Sequence, residues 1–250
     1  MSDAPADEPV KLPPALAILW GRRTTGSRGP RAELDVDRIV DAAVEIARAE
    51  GLEAVSMARV AAAVGFTTMS LYRHVANKED LLQLMWNASA RGIEDVVLEG
   101  DTWRDRLRSW ALVQRGMIGQ NEWIVQLPMS TPPLSPESLG WVELGLSALD
   151  DVDLPDSAKI RLLGLISQHA LIDARMAFDE RRARELSVES GVETNYAALV
   201  RELADPATYP RLTRMVLEEQ PPGTEPPSAS EEFEFDLTIM LDGFEALLTR

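Results

Sequence analysis

The stretch TTMSLYRHVANKEDLL, residues 67–82, decides the fold of this chain. It combines a short polar helical pattern, a break at residues 76–77 and the start of a second helix. Two threonines, a serine, a tyrosine, an arginine and a histidine fall within residues 67–74. Leu71 and Val75 stand one turn apart and are suited to a core, so the other side chains turn outward. A helix with this composition indicates contact with a polar partner.

The residues before this stretch predict two further helices. LDVDRIVDAAVEIARAEG, residues 34–51, has apolar residues at the 3.6-residue period of an amphipathic helix, with Gly51 suited to its C-terminal end. Ser56 is a good N-cap for a second helix, MARVAAAV, which stops at Gly65. The second helix is small and apolar and is suited to packing against the first.

The opening stretch itself predicts a third helix from about Thr68 to Val75, and Asn77 caps a fourth helix. Helix, four-residue turn and helix is the geometry of a helix-turn-helix DNA reader. The same spacing also arises by chance in helical bundles, so the pattern alone leaves both interpretations open.

The rest of the chain also predicts helices. Apolar residues recur at helical spacing in four longer segments, which are residues 103–118, 137–151, 156–182 and 234–250. Two Pro-rich segments, 128–137 and 218–232, are predicted to be a loop and a linker. No alternating strand pattern and no internal repeat is present in the sequence. The fold class is therefore all-α.

The charge of the chain is unevenly distributed. The formal net charge is −16, yet residues 1–78 hold ten basic and ten acidic residues, so all the excess acid follows residue 78. The segment 22–31 holds four arginines and no acid. One end of the protein can therefore approach phosphates, and the net charge does not exclude DNA as a partner.

Several function classes are disfavoured by what the sequence lacks. The chain has no cysteine and two histidines, no metal-ligand spacing and no glycine-rich phosphate loop, so we expect no catalytic site, no metal and no cofactor. A helix-bundle enzyme and a sequence-independent DNA-packaging protein remain as alternatives. The acidic, Pro-rich start lacks the pattern of a signal peptide, and no apolar run is long enough for a membrane span. We expect a cytoplasmic protein.

The segment AAVEIARAEGLEAVSMARVAAAVGFTTMSLYRHVANKEDLLQLM, residues 42–85, resembles the DNA-binding domain of the TetR family of transcriptional regulators. The preceding segment, PPALAILWGRRTTGSRGPR, is similar to an extension in an actinobacterial-type branch of that family, and the helix layout after residue 83 resembles the tetracycline-repressor-like ligand domain. The resemblance implies a flexible arm over residues 1–33 with a basic segment at 22–31. A helix-turn-helix domain over 34–82 and a helical ligand-binding and dimerisation domain over 83–250 would follow.

The resemblance also implies which residues touch DNA. The start of the recognition helix would enter the major groove, Arg73 would read a base, and the remaining residues would contact phosphate or the groove wall. The DNA-binding candidates, including the four arginines of the arm, are Arg22, Arg23, Arg28, Arg31, Ser56, Met57, Thr67, Thr68, Met69, Ser70, Tyr72, Arg73, His74 and Lys78.

The C-terminal part is predicted to bind a second copy of the chain and a small molecule. A single helix-turn-helix rarely binds tightly, so we expect a homodimer on operator DNA. The two most hydrophobic helices, near residues 158–180 and 233–249, are the candidates for a four-helix interface. The dimer candidates are Leu237, Met240, Leu241, Phe244 and Leu248. The candidates for an apolar effector pocket with a few polar groups are Trp110, Met117, His169, Asp173 and Met176. Together these features predict a ligand-responsive regulator, namely a repressor that an apolar effector releases from its operator.

Overall fold

The computed structural model describes residues 10–22, 34–127, 134–192, 195–217 and 228–248. All regular secondary structure within these ranges is helical, which confirms the predicted fold class. The same ranges contain no helix that is both long and apolar enough to cross a membrane.

The chain divides into two compact units, Met1–Leu163 and Gly164–Arg250. The helices that lie wholly within the first unit are α1 (Pro14–Leu19), α2 (Val36–Glu50), α3 (Met57–Val64), α4 (Thr68–Tyr72), α5 (Lys78–Ala88), α6 (Trp103–Gln120) and α7 (Pro136–Ser147). A long helix, α8 (Asp156–Ser190), starts in the first unit, and the second unit adds α9 (Tyr196–Leu203), α10 (Pro210–Leu217) and α11 (Ala229–Leu248).

Helices α2 and α3 form where the sequence pattern predicts them. The Asp35 side chain accepts a hydrogen bond from the Arg38 backbone N–H at 2.8 Å and caps α2. Ile39 and Ala43 on the apolar side of α2 are fully buried, as is Val60 on α3. The Ser56 hydroxyl caps α3 by accepting from the Arg59 N–H. Burial of these apolar faces, rather than local propensity, supplies the stability of such short helices.

The turn between α3 and α4 is held by Gly65 and Arg38. Gly65 has φ +79°, a left-handed conformation in which any side chain would be strained. The Arg38 guanidinium donates to the Val64 carbonyl oxygen at 2.9 Å and lies 5.6 Å from the centre of the Phe66 ring. The carbonyl at the end of α3 is thus hydrogen-bonded, and α4 leaves the turn in a fixed direction.

Helix α4 is shorter than the sequence predicted. The prediction ran from about Thr68 to Val75, whereas the helix ends at Tyr72 and Arg73 is its C-cap. Leu71 and Val75 are both fully buried, as expected. The apolar spacing misled the prediction because a turn after Tyr72, closed by bonds from the N–H groups of residues 74 and 75 to the Leu71 carbonyl, keeps Val75 on the buried side.

Part of the predicted flexible arm is an ordered helix. Helix α1 packs on α5, and Ala15 has no exposed surface. The indole N–H of Trp20 donates to the Leu134 carbonyl oxygen at 2.9 Å, at the residue before the N-cap of α7. The expectation of a flexible arm therefore fails for residues 14–19, because this apolar segment finds a surface to bury.

Helices α6 and α7 run antiparallel. Arg106 near the start of α6 donates to the Ala148 carbonyl at the end of α7 at 3.1 Å, and one turn later Trp110 donates to the Trp141 carbonyl at 3.1 Å. At this end the two helices approach closely, because a Cβ added at Gly145 would lie 2.9 Å from the Trp110 ring. We call the facing turns of these two helices the α6–α7 seam.

The second unit is built around the later part of α8 and the last helix. Phe233, Leu237, Leu241 and Phe244 of α11 are buried. His169 of α8 stacks on Phe233, with ring centres 5.1 Å apart and an interplanar angle of 10°. Helix α11 begins at Ala229, so the predicted linker over 218–232 is shorter than expected at its C-terminal end.

Candidate nucleic-acid interface and effector site

The start of α4 is locked by its own hydroxyl groups. Thr67 is the N-cap, and its Oγ1 accepts from the Ser70 N–H at 3.3 Å. The hydroxyl oxygens of Thr67 and Ser70 also lie 3.0 Å apart and share a hydrogen bond. The two hydroxyls that the sequence assigned to DNA contact therefore already hold the helix start, and each has only its remaining hydrogen-bonding capacity for a partner.

The outer side of α4 carries a mixed apolar and polar surface. Met69 is 70% exposed and Tyr72 is 44% exposed, while Arg73 is exposed at the helix end. Thr68 and His74 are half-buried. An exposed methionine next to an exposed tyrosine and arginine offers one apolar contact, one hydroxyl and one bidentate donor to a partner.

The neighbouring candidates differ in what they expose. Lys78 is the first residue of α5 and follows its N-cap Asn77, whose side chain accepts from the Asp80 N–H at 2.7 Å. Ser56 is half-buried, but Met57 is only 7% exposed. The Met57 side chain therefore belongs to the core, and the position of residues 56 and 57 over the DNA backbone stays a prediction.

The predicted arm is only partly visible in the structure. Arg22 is exposed directly after α1. Arg23, Arg28 and Arg31 lie outside the described residues. Their assignment to DNA contact stays a prediction.

The helix-turn-helix segment is joined to the α6–α7 region by direct hydrogen bonds. The Trp86 indole of α5 donates to the Ser138 hydroxyl of α7 at 3.0 Å. Arg48 Nε of α2 donates to Asn121 Oδ1, just after α6, at 3.1 Å. A displacement of α7 therefore has a direct route to α5, which follows α4 in the chain.

Two effector candidates lie in the first unit. Trp110 is fully buried and stacks on Trp141, with ring centres 4.9 Å apart, and its N–H is satisfied by the Trp141 carbonyl. Met117 is half-buried, and its carbonyl oxygen accepts from Asn121 at 3.1 Å. Trp110 can therefore offer only an apolar surface to a ligand, because its indole N–H is already hydrogen-bonded.

Three polar atoms at the α6–α7 seam were missed by the sequence reasoning. Gln114 Oε1, Glu137 Oε2 and Trp141 Nε1 are buried and have no hydrogen-bond partner among the described residues. Trp141 as a whole is only 8% exposed. The one available signal was that Gln114 follows Trp110 by four positions and Glu137 precedes Trp141 by four, so each pair shares a helix face.

Three effector candidates lie in the second unit. The His169 side chain is 22% exposed, and its Nε2 lies 3.6 Å from Asp236 Oδ2, which is too long for a hydrogen bond. Asp173 is half-buried one turn further along α8, and Met176 is 60% exposed. Within the described residues, no three acidic or histidine side chains are grouped to hold a metal ion.

The dimer candidates are mostly buried inside the single chain. Leu237, Leu241 and Phe244 are 5% exposed or less, and Met240 and Leu248 are half-buried. The exposed apolar residues of α11 are Phe235, Ile239 and Leu247. A second apolar stripe on α8 consists of Leu165, Ile172 and Met176.

Arg106 lies at the end of the seam where the two helices approach closely. Its guanidinium bonds the Ala148 carbonyl and the Asp151 carboxylate, and this hydrogen bond lowers the pKa of Asp151 below its usual value. On α6 itself, the hydrogen bond from the Thr102 hydroxyl lowers the pKa of Asp105. Both groups therefore carry full negative charge at neutral pH.

The sequence matches two models of one protein family. Residues 39–85 match the model described as bacterial regulatory proteins, tetR family. Residues 97–248 match the model described as tetracyclin repressor-like, C-terminal domain. The chain is 32% identical over 238 residues to the HTH-type transcriptional repressor DrrR1 of Streptomyces coeruleorubidus, covering 94% of this chain and 86% of that protein.

Solved structures show the same fold. The TetR family protein ActR of Streptomyces coelicolor in complex with (S)-DNPA is 25% identical, with a TM-score of 0.68 over 86% of this chain and 98% of ActR. The complex of ActR with actinorhodin is 24% identical and has a TM-score of 0.70 over 88% of this chain and all of ActR.

Proposed function

The chain belongs to the tetR family of bacterial regulatory proteins, and from that premise we propose that it is a homodimeric repressor that a small, largely apolar molecule releases from its operator. It is a DNA-binding transcriptional regulator. The similarity to the repressor DrrR1 supports repression rather than activation. The ActR structures contain bound small molecules and support a ligand-binding C-terminal part.

The observation that carries the DNA-binding role is the preorganised surface of α4. Leu71 and Val75 fix the helix to the core, the Thr67 cap fixes its start, and Arg38 fixes the turn before it. Met69, Tyr72 and Arg73 then project without any cost of ordering the backbone on binding. Phosphate contacts from Lys78 and the half-buried Ser56 would position this surface, and the projecting side chains would read bases.

A footprint on the DNA around the protein's own gene tests this role. We expect two protected half-sites whose centres are one helical turn or a multiple of it apart, because a symmetric dimer presents two copies of α4. A double variant, Arg73→Ala with Lys78→Ala, should lose the footprint. Arg211→Ala with Arg214→Ala on α10 is the matched control, since it also removes two basic side chains but lies outside the proposed DNA and dimer surfaces. Protection of random DNA without a preferred site would contradict a specific regulator.

The dimer that we propose uses the exposed apolar stripes of the second unit. Residues that are already buried within one chain have no surface left for a partner. Leu237, Leu241 and Phe244 would therefore hold α11 in place within its own chain and would not contact the second copy. The stripes of α8 and α11 are free to be covered. Phe235 and Ile239 stand one turn apart on α11 and are 66% and 55% exposed.

Charged substitutions separate these two groups of residues. Ile239→Asp should give helical monomers, because a buried unpaired charge in an interface costs several kcal/mol while the isolated chain leaves that side chain in water. Leu241→Asp should instead unfold the second unit. Light scattering gives the assembly state and circular dichroism gives the helix content. Dimers of Ile239→Asp would place the interface elsewhere.

The coupling that we propose runs from α7 to α5. The effector must bind the DNA-released arrangement more tightly than the DNA-bound one, since equal affinity shifts nothing. The Trp86–Ser138 hydrogen bond and the bond from the Glu137 N–H to Asn87 Oδ1 at 3.4 Å both join these helices. Movement of α7 would therefore change the position of α5, and with it the spacing of the two copies of α4.

Substitution of either hydrogen-bonding partner tests the coupling. Trp86→Phe and Ser138→Ala each remove the bond between the indole and the Ser138 hydroxyl. Trp86→Phe keeps a smaller aromatic ring, and Ser138→Ala also removes the acceptor of the Ser135 hydroxyl. With a ligand found by a thermal-shift screen, both variants should bind it as the wild type does but release the operator less completely. The double variant should behave like either single one, because the two residues act as one pair. Full release in all three variants would exclude this route.

A further inference from the structure

We propose that Met69 is an oxidation site through which hydroperoxides weaken the binding of this regulator to its operator. The proposal rests on the DNA-binding role of α4 proposed above. It adds a covalent change in the recognition helix itself, which is independent of any molecule bound in the C-terminal part.

Methionine supplies all the sulfur of this chain, which has nine methionines and no cysteine. The described methionines differ widely in exposure. Met57 and Met85 are at most 7% exposed, so their sulfur atoms are shielded by the core. The strongly exposed ones are Met69 at 70%, Met215 at 65% and Met176 at 60%. A dissolved oxidant therefore reaches Met69 at least as easily as any other methionine that the structure describes.

The exposure of Met69 is a fixed property of the free protein. The Thr67 cap holds the start of α4, and Leu71 is fully buried beneath it, so the helix cannot turn its outer side inward. The other two exposed methionines lie on α8 and α10, away from the recognition helix in the chain. Among these three, Met69 is therefore the one whose oxidation would meet DNA directly.

The oxidation needs no catalytic group from the chain. The thioether sulfur attacks one oxygen of the hydroperoxide, an S–O bond forms, and the O–O bond breaks. The proton of the transferred oxygen moves to the departing oxygen. Sulfur loses two electrons, and hydrogen peroxide is thereby reduced to water. The product, methionine sulfoxide, is a polar side chain in place of an apolar one, and its oxygen accepts hydrogen bonds.

The new oxygen would lie close to the arginine that is proposed to read a base. Arg73 is exposed four positions after Met69, and its φ of −72° and ψ of −26° continue the helical geometry through this C-cap. Side chains four residues apart are neighbours on a helix surface. The sulfoxide oxygen can therefore accept from the Arg73 guanidinium, in competition with a DNA base. Oxidation thus removes an apolar contact and engages Arg73 at the same time.

Treatment of the full-length protein with hydrogen peroxide tests the proposal. Mass spectrometry of proteolytic peptides gives the conversion of each methionine, and fluorescence anisotropy gives the operator affinity. Complete conversion of Met69 should weaken binding about 5- to 150-fold, the equivalent of the 1–3 kcal/mol expected for loss of one base-reading arginine. An unchanged affinity at full conversion overturns the proposal. A Met69 that stays reduced while Met215 is oxidised overturns it as well.

Two matched variants locate the effect. Met69→Leu keeps an apolar side chain without sulfur, and Met215→Leu makes the same change at an exposed position of α10. The affinity ratio before and after oxidation is compared within each variant, so that any effect of the substitution itself cancels. The loss should disappear in Met69→Leu and persist in Met215→Leu. A loss that persists in Met69→Leu would place the responsible methionine elsewhere and refute the proposal.

Arg73→Ala tests the predicted contact of the sulfoxide. At a salt concentration where the reduced variant still binds, its oxidation should cost no more than about fourfold, the value of one apolar methyl contact. The full wild-type loss in Arg73→Ala would refute the role of Arg73.

Two further readings separate oxidation of the recognition surface from other causes. Excess operator should slow the oxidation of Met69 and leave that of Met215 unchanged, because only Met69 is covered by DNA. Equal slowing or none would show that Met69 does not face DNA. Circular dichroism should give the same helix content before and after oxidation, and a loss of helix would overturn the proposal. If the unoxidised wild type binds no operator, the proposed function fails; if binding survives full conversion of Met69, the oxidation proposal alone fails.

Discussion

The turn between α3 and α4 and the α6–α7 seam treat their polar groups in opposite ways. At the turn, the Ser70 N–H is capped by Thr67, and the Val64 carbonyl accepts from Arg38. At the seam, three buried polar atoms have no partner among the described residues. A surface that must always present the same shape to DNA is completed by the chain itself. The seam instead carries the desolvation cost of buried polar atoms for which the described residues provide no hydrogen bond.

The largest expected effect is a loss of folding stability in the region that holds α4. Leu71→Ala should cost about 2–5 kcal/mol of folding free energy, because it removes most of a fully buried side chain beneath α4. Urea unfolding followed by circular dichroism measures the loss, and operator affinity should fall with it. Met69→Ala, at an exposed position of the same helix, is the control and should change stability by less than about 0.5 kcal/mol.

The next effect concerns what the rigid surface reads. Arg73→Ala should cost about 1–3 kcal/mol at the operator and relax the preference at one base position. Lys78→Ala should weaken all sequences alike and reduce the slope of log affinity against log salt by about 0.9. Fluorescence anisotropy at several salt concentrations measures both. If both variants keep wild-type binding while α4 stays folded, the recognition surface is elsewhere.

A third prediction compares the two regions directly. Thr67→Ala removes a satisfied cap and should cost about 1 kcal/mol. Gln114→Leu removes an unsatisfied acceptor and should be neutral or stabilising by about 1 kcal/mol, since no protein hydrogen bond is lost. Thermal melting of the two variants without ligand shows whether each change raises or lowers the stability. A destabilised Gln114→Leu would show that the amide is satisfied in the free protein.

A fourth prediction follows from the exposed thioether of Met69. An apolar side chain in the major groove recognises the thymine methyl group. Replacing thymines of the operator by uracil, one at a time, should weaken the wild type about fourfold at one position, the value of one buried methyl group. Met69→Ala should lose that sensitivity. Equal loss in both proteins would assign the methyl contact to another residue.

The smallest expected effect is a pH dependence of folding stability at the end of the seam that carries Arg106. The pKa of Asp151 is lowered by its hydrogen bond to Arg106, so this pair stabilises the fold above the usual aspartate pKa and is lost as the pH falls through the lowered value. Below about pH 4, tryptophan emission of the wild type should therefore begin to change. Asp151→Asn should lack that part of the change, and an identical titration would mean that the pair is merely solvated.

The helix-turn-helix was predictable because its signals are local. Ser56, Gly65 and Asn77 mark helix ends through their own hydrogen bonds or backbone conformation, and all three appear where the pattern placed them. The length of α4 was not predictable. Val75 is buried whether residues 73–75 continue the helix or form a turn. Its apolar character therefore does not reveal where α4 ends.

The elements that the sequence missed are those that depend on distant contacts. Helix α1 has six residues and starts with a proline at its first position, so it is ordered only because it packs on α5. Helices α9 and α10 have eight residues each and pack on each other, so neither has a long apolar period that the sequence could show by itself. On α11 the helical period identified Leu241 as apolar, but it could not tell a side chain buried within the chain from one left exposed, as Ile239 is.

The anchoring of α1 has a consequence for any test of the predicted basic arm. Helix α1 packs on α5, and the Trp20 indole donates to the Leu134 carbonyl oxygen. Deleting residues 1–31 would also remove α1 from α5, so the arginines have to be tested by replacing them with glutamine while α1 stays in place.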